Sequence, residues 1–112
     1  MKYSLFFKEL ELAEIEQASS DFPNLSGRYR LSPFDKKENH LLTEYINYSI
    51  KASILMEEDE KEWLKLIETE EHQFIELIES EDWKLIDENK VVHPILIPNF
   101  CVKSEVVWRW SL

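Results

Sequence analysis

A single glycine, Gly27, among 112 residues is the feature that most restricts the fold of this chain. Hairpin turns between antiparallel strands favour glycine, so a β-sandwich or β-barrel with many tight turns is disfavoured. The same shortage excludes a glycine-rich loop that cradles phosphate groups. Apolar residues make up 44% of the chain, which suffices for one hydrophobic core. We therefore expect one domain, residues 1–112, with only a few strands.

The cysteine content and the N-terminus bear on the cellular compartment. Cys101 is the only cysteine, so an internal disulfide is excluded and the chain does not match small secreted scaffolds. The apolar run near the N-terminus is too short for a signal peptide, and no uncharged stretch reaches the length of a membrane span. These features predict a cytoplasmic protein, and the abundance of Lys, Glu and Ile suits a bacterium with an AT-rich genome.

Apolar spacing predicts two helices in the first half of the chain. Residues 5–18 combine three- and four-residue spacings and are predicted as a helix, although alternation within them also fits a strand. Residues 19–27 have the composition of a loop, and residues 28–31 alternate as a short strand with one solvent-exposed face. Asp35 and Glu38 match a capping box that opens a second helix with an apolar row over 41–55. The second half of that helix also alternates, which leaves a strand open there.

The last third of the chain predicts strands. Residues 83–86 and 91–97 are predicted as two strands joined by a turn, and the two prolines in and after the second place it at an edge or end it early. A final strand, residues 106–111, has Val106, Trp108 and Trp110 on one face. The fold class is therefore α+β, with N-terminal and central helices packed on one face of a small antiparallel sheet. We expect three to four strands, formed mostly by the C-terminal third.

The net charge of −10 lies entirely within residues 57–82, which we call the acidic segment. The segment contains two lysines and twelve acids, at positions 57, 58, 59, 60, 62, 68, 70, 71, 76, 79, 81 and 82, whereas the rest of the chain is neutral. Such a field repels nucleic acids and anionic membranes, and it steers a basic partner into encounter. We therefore expect a basic protein partner and no binding to nucleic acid or to a membrane.

One sequence pattern occurs twice within the acidic segment. Residues 63–70 (WLKLIETE) recur as residues 74–81 (FIELIESE), eleven residues later. Eleven residues are three helical turns, so both apolar clusters face the same way if the helix is continuous. Coincidence in a stretch rich in Leu, Ile and Glu explains the repeat equally well. The sequence leaves open whether residues 57–80 form one helix or two, and in either case the apolar stripe faces inward.

Two groups of residues suggest catalytic or metal chemistry, and each has a simpler explanation. Glu68, His72 and Glu76 are spaced by four and suit a divalent cation, but a solvated acidic face with one histidine has the same pattern. Cys101 and His93 are the only residues that offer a thiol with a base, and nothing in the sequence brings them together. We therefore predict that the chain is not an enzyme and holds neither a metal nor a cofactor.

Three further features concern a possible nuclease motif and the recognition of ligands or partners. Residues 88–90 (ENK) match the E-x-K fragment of a restriction-type nuclease motif, but they fall in a predicted turn. Arg28 and Arg30 suit a carboxylate or phosphate ligand, and equally the exposed face of a strand paired with local acids. Trp108 and Trp110 are candidates for the core or, if one is exposed, for an interface.

These observations favour a non-catalytic acidic protein-binding domain. The favoured interpretation is an immunity-type protein or inhibitor that masks a basic partner such as a toxin nuclease, acting as a monomer or homodimer. The alternatives are a small acidic adaptor or secretion chaperone that acts as a homodimer, and a nucleic-acid mimic. The predicted partner-binding residues are Glu57, Glu58, Asp59, Glu60, Glu68, Glu71, Glu79, Glu81, Asp82 and Trp83.

Overall fold

A computed structural model describes residues 1–19 and 24–111 and confirms the α+β class. The strands are β1 (Lys2–Phe7), β2 (Leu10–Ser19), β3 (Leu25–Leu31), β4 (Trp83–Asp87), β5 (Val92–Pro94), β6 (Asn99–Phe100) and β7 (Glu105–Trp108). The helices are α1 (His40–Glu58), α2 (Glu60–Glu70) and α3 (Ile75–Glu79), with a 3₁₀ turn (Glu71–Phe74) between the last two. All the helices therefore lie in the connection from β3 to β4.

The seven strands form one antiparallel sheet in the order β5-β4-β1-β2-β3-β7-β6. The helical connection carries the chain from β3 across to β4, which pairs with the far side of β1. The segment after β5 is bonded on two sides, because the Ile95 N–H donates to the Trp83 carbonyl and the Leu96 N–H donates to the Arg109 carbonyl. The two ends of the sheet are thereby drawn towards each other.

The predicted N-terminal helix is wrong, because residues 5–18 form most of the β1–β2 hairpin. The pairing register shifts between Leu5, which faces Ala13, and Phe6, which faces Glu11. This bulge leaves Leu12 as an extra residue, and Leu12 and Ala13 are both fully buried. Two adjacent inward side chains break the strand alternation. The resulting mixture of spacings resembles a helical pattern.

The prediction of three to four strands is also wrong, since the sheet has seven. The tight turns use residues other than glycine in the left-handed region, with φ of 56° at Lys8, 67° at Lys90, 60° at Lys103 and 57° at Ser104. Gly27 instead lies within β3, where an added Cβ would approach the Glu16 carbonyl oxygen to 2.5 Å. The glycine therefore allows close strand contact and makes no turn. The predicted loop at 19–27 falls partly outside the described residues, and its last three residues belong to β3.

The central helix is confirmed, and its second half is helical throughout. Asp35 Oδ1 accepts a hydrogen bond from the Glu38 N–H at 3.1 Å, as the capping pattern predicts, although the α-helix itself begins at His40. Two side chains attach α1 to the segment around β6. The Tyr45 hydroxyl donates to the Pro98 carbonyl at 2.7 Å, and Ser49 Oγ accepts from the Phe100 N–H at the same distance.

The three strands predicted in the last third are present, but the second and third are shorter than predicted, and β6 (Asn99–Phe100) was not predicted. β4 is followed by the predicted turn, and β5 ends at Pro94 at one end of the strand order. Trp108 is 1% exposed, whereas Trp110 is half-buried and packs against the same core. The core between helices and sheet joins residues from both layers. Its largest fully buried side chains are Trp83, Trp108, Phe74, Phe100, Leu5, Leu12, Ile15, Leu85, Ile95 and Val106.

Candidate functional site

The acidic segment begins at a sharp break between two helices. α1 ends at Glu58, and Asp59 has extended backbone angles (φ −154°, ψ 90°) that stop the helix. The Asp59 carboxylate then accepts a hydrogen bond from the Glu62 N–H at 3.2 Å and caps α2. Glu60 and Glu62 lie in the first turn of α2, where the helix dipole favours negative charge. Part of the acidic run therefore has a local role in starting this helix.

Residues 57–80 form neither one helix nor a simple pair. α2 ends at Glu70, the 3₁₀ turn follows, and α3 has only five residues before Ser80 returns to extended backbone. Glu68, His72 and Glu76 therefore do not share a continuous α-helix. Within residues 1–19 and 24–111, no group of three His, Cys, Asp or Glu side chains is arranged to hold a metal ion.

Most of the predicted partner-binding acids are exposed. This holds for Glu57, Glu58, Asp59, Glu60, Glu68, Glu79, Glu81 and Asp82. Glu71 is partly buried, and its carboxylate accepts a hydrogen bond from the Tyr48 hydroxyl at 3.5 Å. Burial, followed by the charge of Glu71, raises the pKa of Tyr48 to about 12. Glu71 is thus part of the contact between α1 and the 3₁₀ turn.

Trp83 is buried and not accessible to a partner in this structure, which contradicts its prediction as a partner-binding residue. Its side chain is 1% exposed, and its indole N–H donates to the Leu77 carbonyl at 2.8 Å. Its ring lies against Phe7 and Tyr45. Trp83 and Leu85 are the inward positions of β4, so the period of two places this tryptophan in the core.

The acids of the acidic segment have no cationic partner within residues 1–19 and 24–111. Among the described residues, salt bridges join Arg30 to Glu14, His40 to Glu44, and His93 to Asp87, and none includes an acid from residues 57–82. Lys61 and Lys65 lie on α2 without an ion pair of their own in the same part of the chain. The negative charge on this side of the molecule is therefore not neutralised internally.

Apolar side chains outside the main core of the described chain lie next to these acids in sequence, and the sequence reasoning did not identify them. The buried residues of α1 are Leu42, Tyr45, Ile46 and Ser49, and α2 has none. We call residues 52–70 the α1–α2 corner. Among its apolar residues, Met56 and Leu64 are exposed, whereas Ala52, Ile54, Leu55, Trp63, Leu66 and Ile67 are partly buried. None of these eight belongs to the main core or packs against it within the described chain. The sequence offered one signal for this feature. Two adjacent apolar pairs, Trp63-Leu64 and Leu66-Ile67, are more than one face of a short helix can bury.

The opposite face of the sheet has a different distribution of charge. In the register of neighbouring strands, Lys2 lies opposite Glu16, Glu16 lies opposite Arg28, and Arg28 lies opposite Glu105. Lys2, Glu16 and Arg28, together with the adjacent Glu14–Arg30 ion pair, border a groove of about 570 Å³ over β4, β1, β2 and β3. Acids and bases alternate, so their charges cancel. The pairing of Arg30 with Glu14 confirms the interpretation of this arginine as part of a solvated strand face.

The residues considered for catalysis are not brought together. His93 Nε2 lies 2.9 Å from Asp87 Oδ2, and this contact is the main cause that lowers the pKa of the Asp87 carboxyl. The sulfur of Cys101 instead lies near the Asn99 carbonyl, at 3.9 Å, and burial raises the pKa of its thiol. Residues 88–90 follow β4 in the predicted turn. A thiolate next to a base does not arise from this arrangement.

The helices and the comparisons with known proteins add two findings. None of the helices in the described part of the chain is both long and apolar enough to cross a lipid bilayer. No family model matches this chain, and no curated protein and no solved structure shows significant similarity to it.

Proposed function

We propose that this chain is a non-catalytic binding module whose acidic segment docks onto a basic protein. The observation that supports this most directly is the exposed, unpaired state of the acids, which the rest of the described chain does not neutralise. Like charges held together on neighbouring helices repel one another and weaken the isolated fold. A basic partner removes that repulsion on binding and is attracted from a distance.

Among such modules, an immunity-type protein or inhibitor fits best. It works by covering a cation-lined active site, for which dense exposed carboxylates are suited and a catalytic site of its own is unnecessary. A basic toxin nuclease is the expected kind of target. A homodimeric adaptor that pairs through the acidic segment is disfavoured, because two such segments repel each other.

The test is capture of partners from nuclease-treated native lysate, with elution by steps of increasing salt. Two charge-reversal variants serve as a matched pair. Glu58→Lys with Glu68→Lys alters the acidic segment, and Glu9→Lys with Glu38→Lys alters exposed acids elsewhere. Both pairs change the net charge by +4, so any difference between them reports the location of the charge.

We expect a specific basic protein to be retained by the wild type and by the Glu9/Glu38 variant, and to be lost from the Glu58/Glu68 variant. Release by moderate salt and a slower association rate for the Glu58/Glu68 variant indicate charge steering. Addition of the wild-type chain should then inhibit the activity of the captured protein. Equal capture by both variants, or no retained protein, contradicts the proposal.

A further inference from the structure

We infer that the α1–α2 corner receives a basic amphipathic helix of the partner, whose apolar face covers Met56, Trp63 and Leu64. The inference rests on the proposed function, because it takes the partner to be basic. It adds an apolar contact to what would otherwise be a purely electrostatic one. It also specifies where on the acidic segment the partner lies.

The first argument is the abrupt end of burial along α1. Its buried residues stop at Ser49, and the remaining turns and all of α2 contain none. Yet this stretch has eight apolar side chains that do not pack against the main core in the described chain. Met56 is 58% exposed and Leu64 is 48% exposed. Exposed apolar side chains on two helices that contact each other offer an apolar surface to a partner.

The second argument is charge, which favours a basic helix over a second copy of this chain as the binding partner of the corner. The α1–α2 corner contains seven acids and two lysines. A second copy of this chain would bring two such negative corners into contact, and their repulsion opposes that pairing. A basic amphipathic helix supplies apolar residues for Met56, Trp63 and Leu64, and lysines or arginines for the flanking carboxylates. Glu58, Glu60 and Glu68 lie close to these residues in sequence, are exposed, and form no ion pair with any described residue.

The third argument concerns energetics. Exposed ion pairs contribute little to affinity and are screened by salt. Burial of a large apolar side chain contributes at least about tenfold in affinity and is not screened. The apolar surface of the corner therefore provides the part of the binding energy that persists at high ionic strength.

The experiment uses the full chain and two synthetic peptides of equal length and charge. One has leucines and lysines at helical spacing, and in the other every leucine is replaced by glutamine. Affinity is measured by calorimetry at low salt and at about 0.5 M NaCl, where the screening length is only a few ångströms. The test variant is Met56→Gln with Leu64→Gln. The control variant, Leu31→Gln with Ile75→Gln, alters residues of similar exposure outside the corner.

We expect the amphipathic peptide to bind at least about tenfold more tightly than the polar one at high salt. The Met56/Leu64 variant should remove about tenfold of that affinity, while the Leu31/Ile75 variant should change it by less than about twofold. Circular dichroism should show that both variants keep the native helix content.

The other outcomes separate this inference from the proposed function. If both peptides bind equally at low salt and both are released at high salt, the electrostatic proposal stands and the apolar docking site is refuted. If the control variant weakens binding as much as the test variant does, the peptide lies elsewhere and the inference is likewise refuted. If neither peptide binds at low salt, the corner does not accept a basic helix, whereas capture of a basic protein by the wild type would still support the proposed function.

Discussion

Residues 63–70 and 74–81 have similar sequences but occupy different environments. Trp63 and Leu66 in the first copy are only partly buried, whereas the matching Phe74 and Leu77 in the second are 1% and 4% exposed. Both copies expose the residue after the aromatic one, which is Leu64 in one and Ile75 in the other. The pattern thus specifies which face of each helix is apolar. It does not specify whether that face meets the core.

The backbone explains the difference between the two copies. The 3₁₀ turn interrupts the helix between them and places Phe74 against α1, where its ring centroid lies 4.9 Å from that of Tyr48 and 5.6 Å from that of Tyr45. The first copy follows Asp59 on α2, a helix that contacts α1 and has no fully buried residue of its own. Equal amphipathicity therefore serves core packing in one copy, whereas in the other the apolar side chains stay outside the main core of the described chain.

The largest predicted effect is a contrast between two aromatic truncations. Phe74→Ala should lower the free energy of unfolding by about 3–5 kcal/mol, because it leaves a cavity in a buried cluster. Trp63→Ala should lower it by clearly less, about 1–2 kcal/mol, because Trp63 is only partly buried and no residue of α2 is fully buried. Chemical denaturation of both variants, analysed at a common slope, measures the difference.

A second pair of truncations controls for the size of the aromatic rings. Leu77→Ala and Leu66→Ala remove the same atoms from matching positions of the two copies. Leu77→Ala should cost about 2–5 kcal/mol, whereas Leu66→Ala should cost clearly less. If the two leucine variants lose equal stability, α2 belongs to the cooperative core and the contrast between the copies does not hold.

The sequence predicted the fold wherever one simple period applied. The central helix and β4 follow regular spacings, and both were identified. The N-terminal hairpin was missed because its bulge places Leu12 and Ala13 on the same side. The extra strands were missed because lysines such as Lys8 occupy turn positions that favour glycine. These exceptions depend on contacts between strands, which a local pattern does not contain.

The candidate site was predicted in part for a related reason. Acids are recognisable from composition, and eleven of the twelve in the acidic segment are exposed. The alternation of Trp83 with Leu85 indicates that Trp83 faces the core. The neighbouring acids suggested instead that it binds a partner. The exposure of Met56 and Leu64 depends on where full burial along α1 ends, which is at Ser49. That point is set by tertiary structure.

The next prediction concerns the cap that starts α2. Asp59→Ala removes the acceptor for the Glu62 N–H and should destabilise α2 by about 1 kcal/mol. Because α2 has no buried residue, the loss should appear mainly as faster hydrogen exchange of α2 amides, with little change in β1 and β2. Asp59→Asn, which keeps a capping oxygen, is the control. Equal acceleration of exchange across the sheet would show that α2 opens only with global unfolding.

A smaller effect is expected from screening the acidic segment. Added NaCl should raise the melting temperature of the wild type, because repulsion between the unpaired carboxylates is weakened. Glu58→Lys with Glu68→Lys should stabilise the chain at low salt by a few tenths of a kcal/mol per relieved contact and reduce the response to salt. Glu9→Lys with Glu38→Lys is the matched control. A salt response that falls equally in both variants would mean that net charge, and not its location, governs stability.

The last prediction uses the tyrosine that links α1 to the second copy. The pKa of Tyr48 is raised to about 12, first by burial and then by Glu71, whereas an unfolded tyrosine ionises near about 10. The folded state therefore keeps the proton to a higher pH than the unfolded chain. Its contribution to stability is complete below about pH 10 and is lost as the pH rises towards about 12.

Tyr48→Phe should accordingly reduce the slope with which the free energy of unfolding falls over that pH window. The slope should not reach zero, because burial also raises the pKa of Tyr45, which remains in the variant. Urea denaturation at several pH values between neutral and about 12 measures both chains, and the neutral values provide the baseline for the lost hydroxyl. An unchanged slope would show that Tyr48 ionises alike in the folded and unfolded chains. The 3₁₀ turn would then not shield Tyr48 from solvent, and residues 74–81 would be held less firmly than the contact of Phe74 with Tyr48 implies.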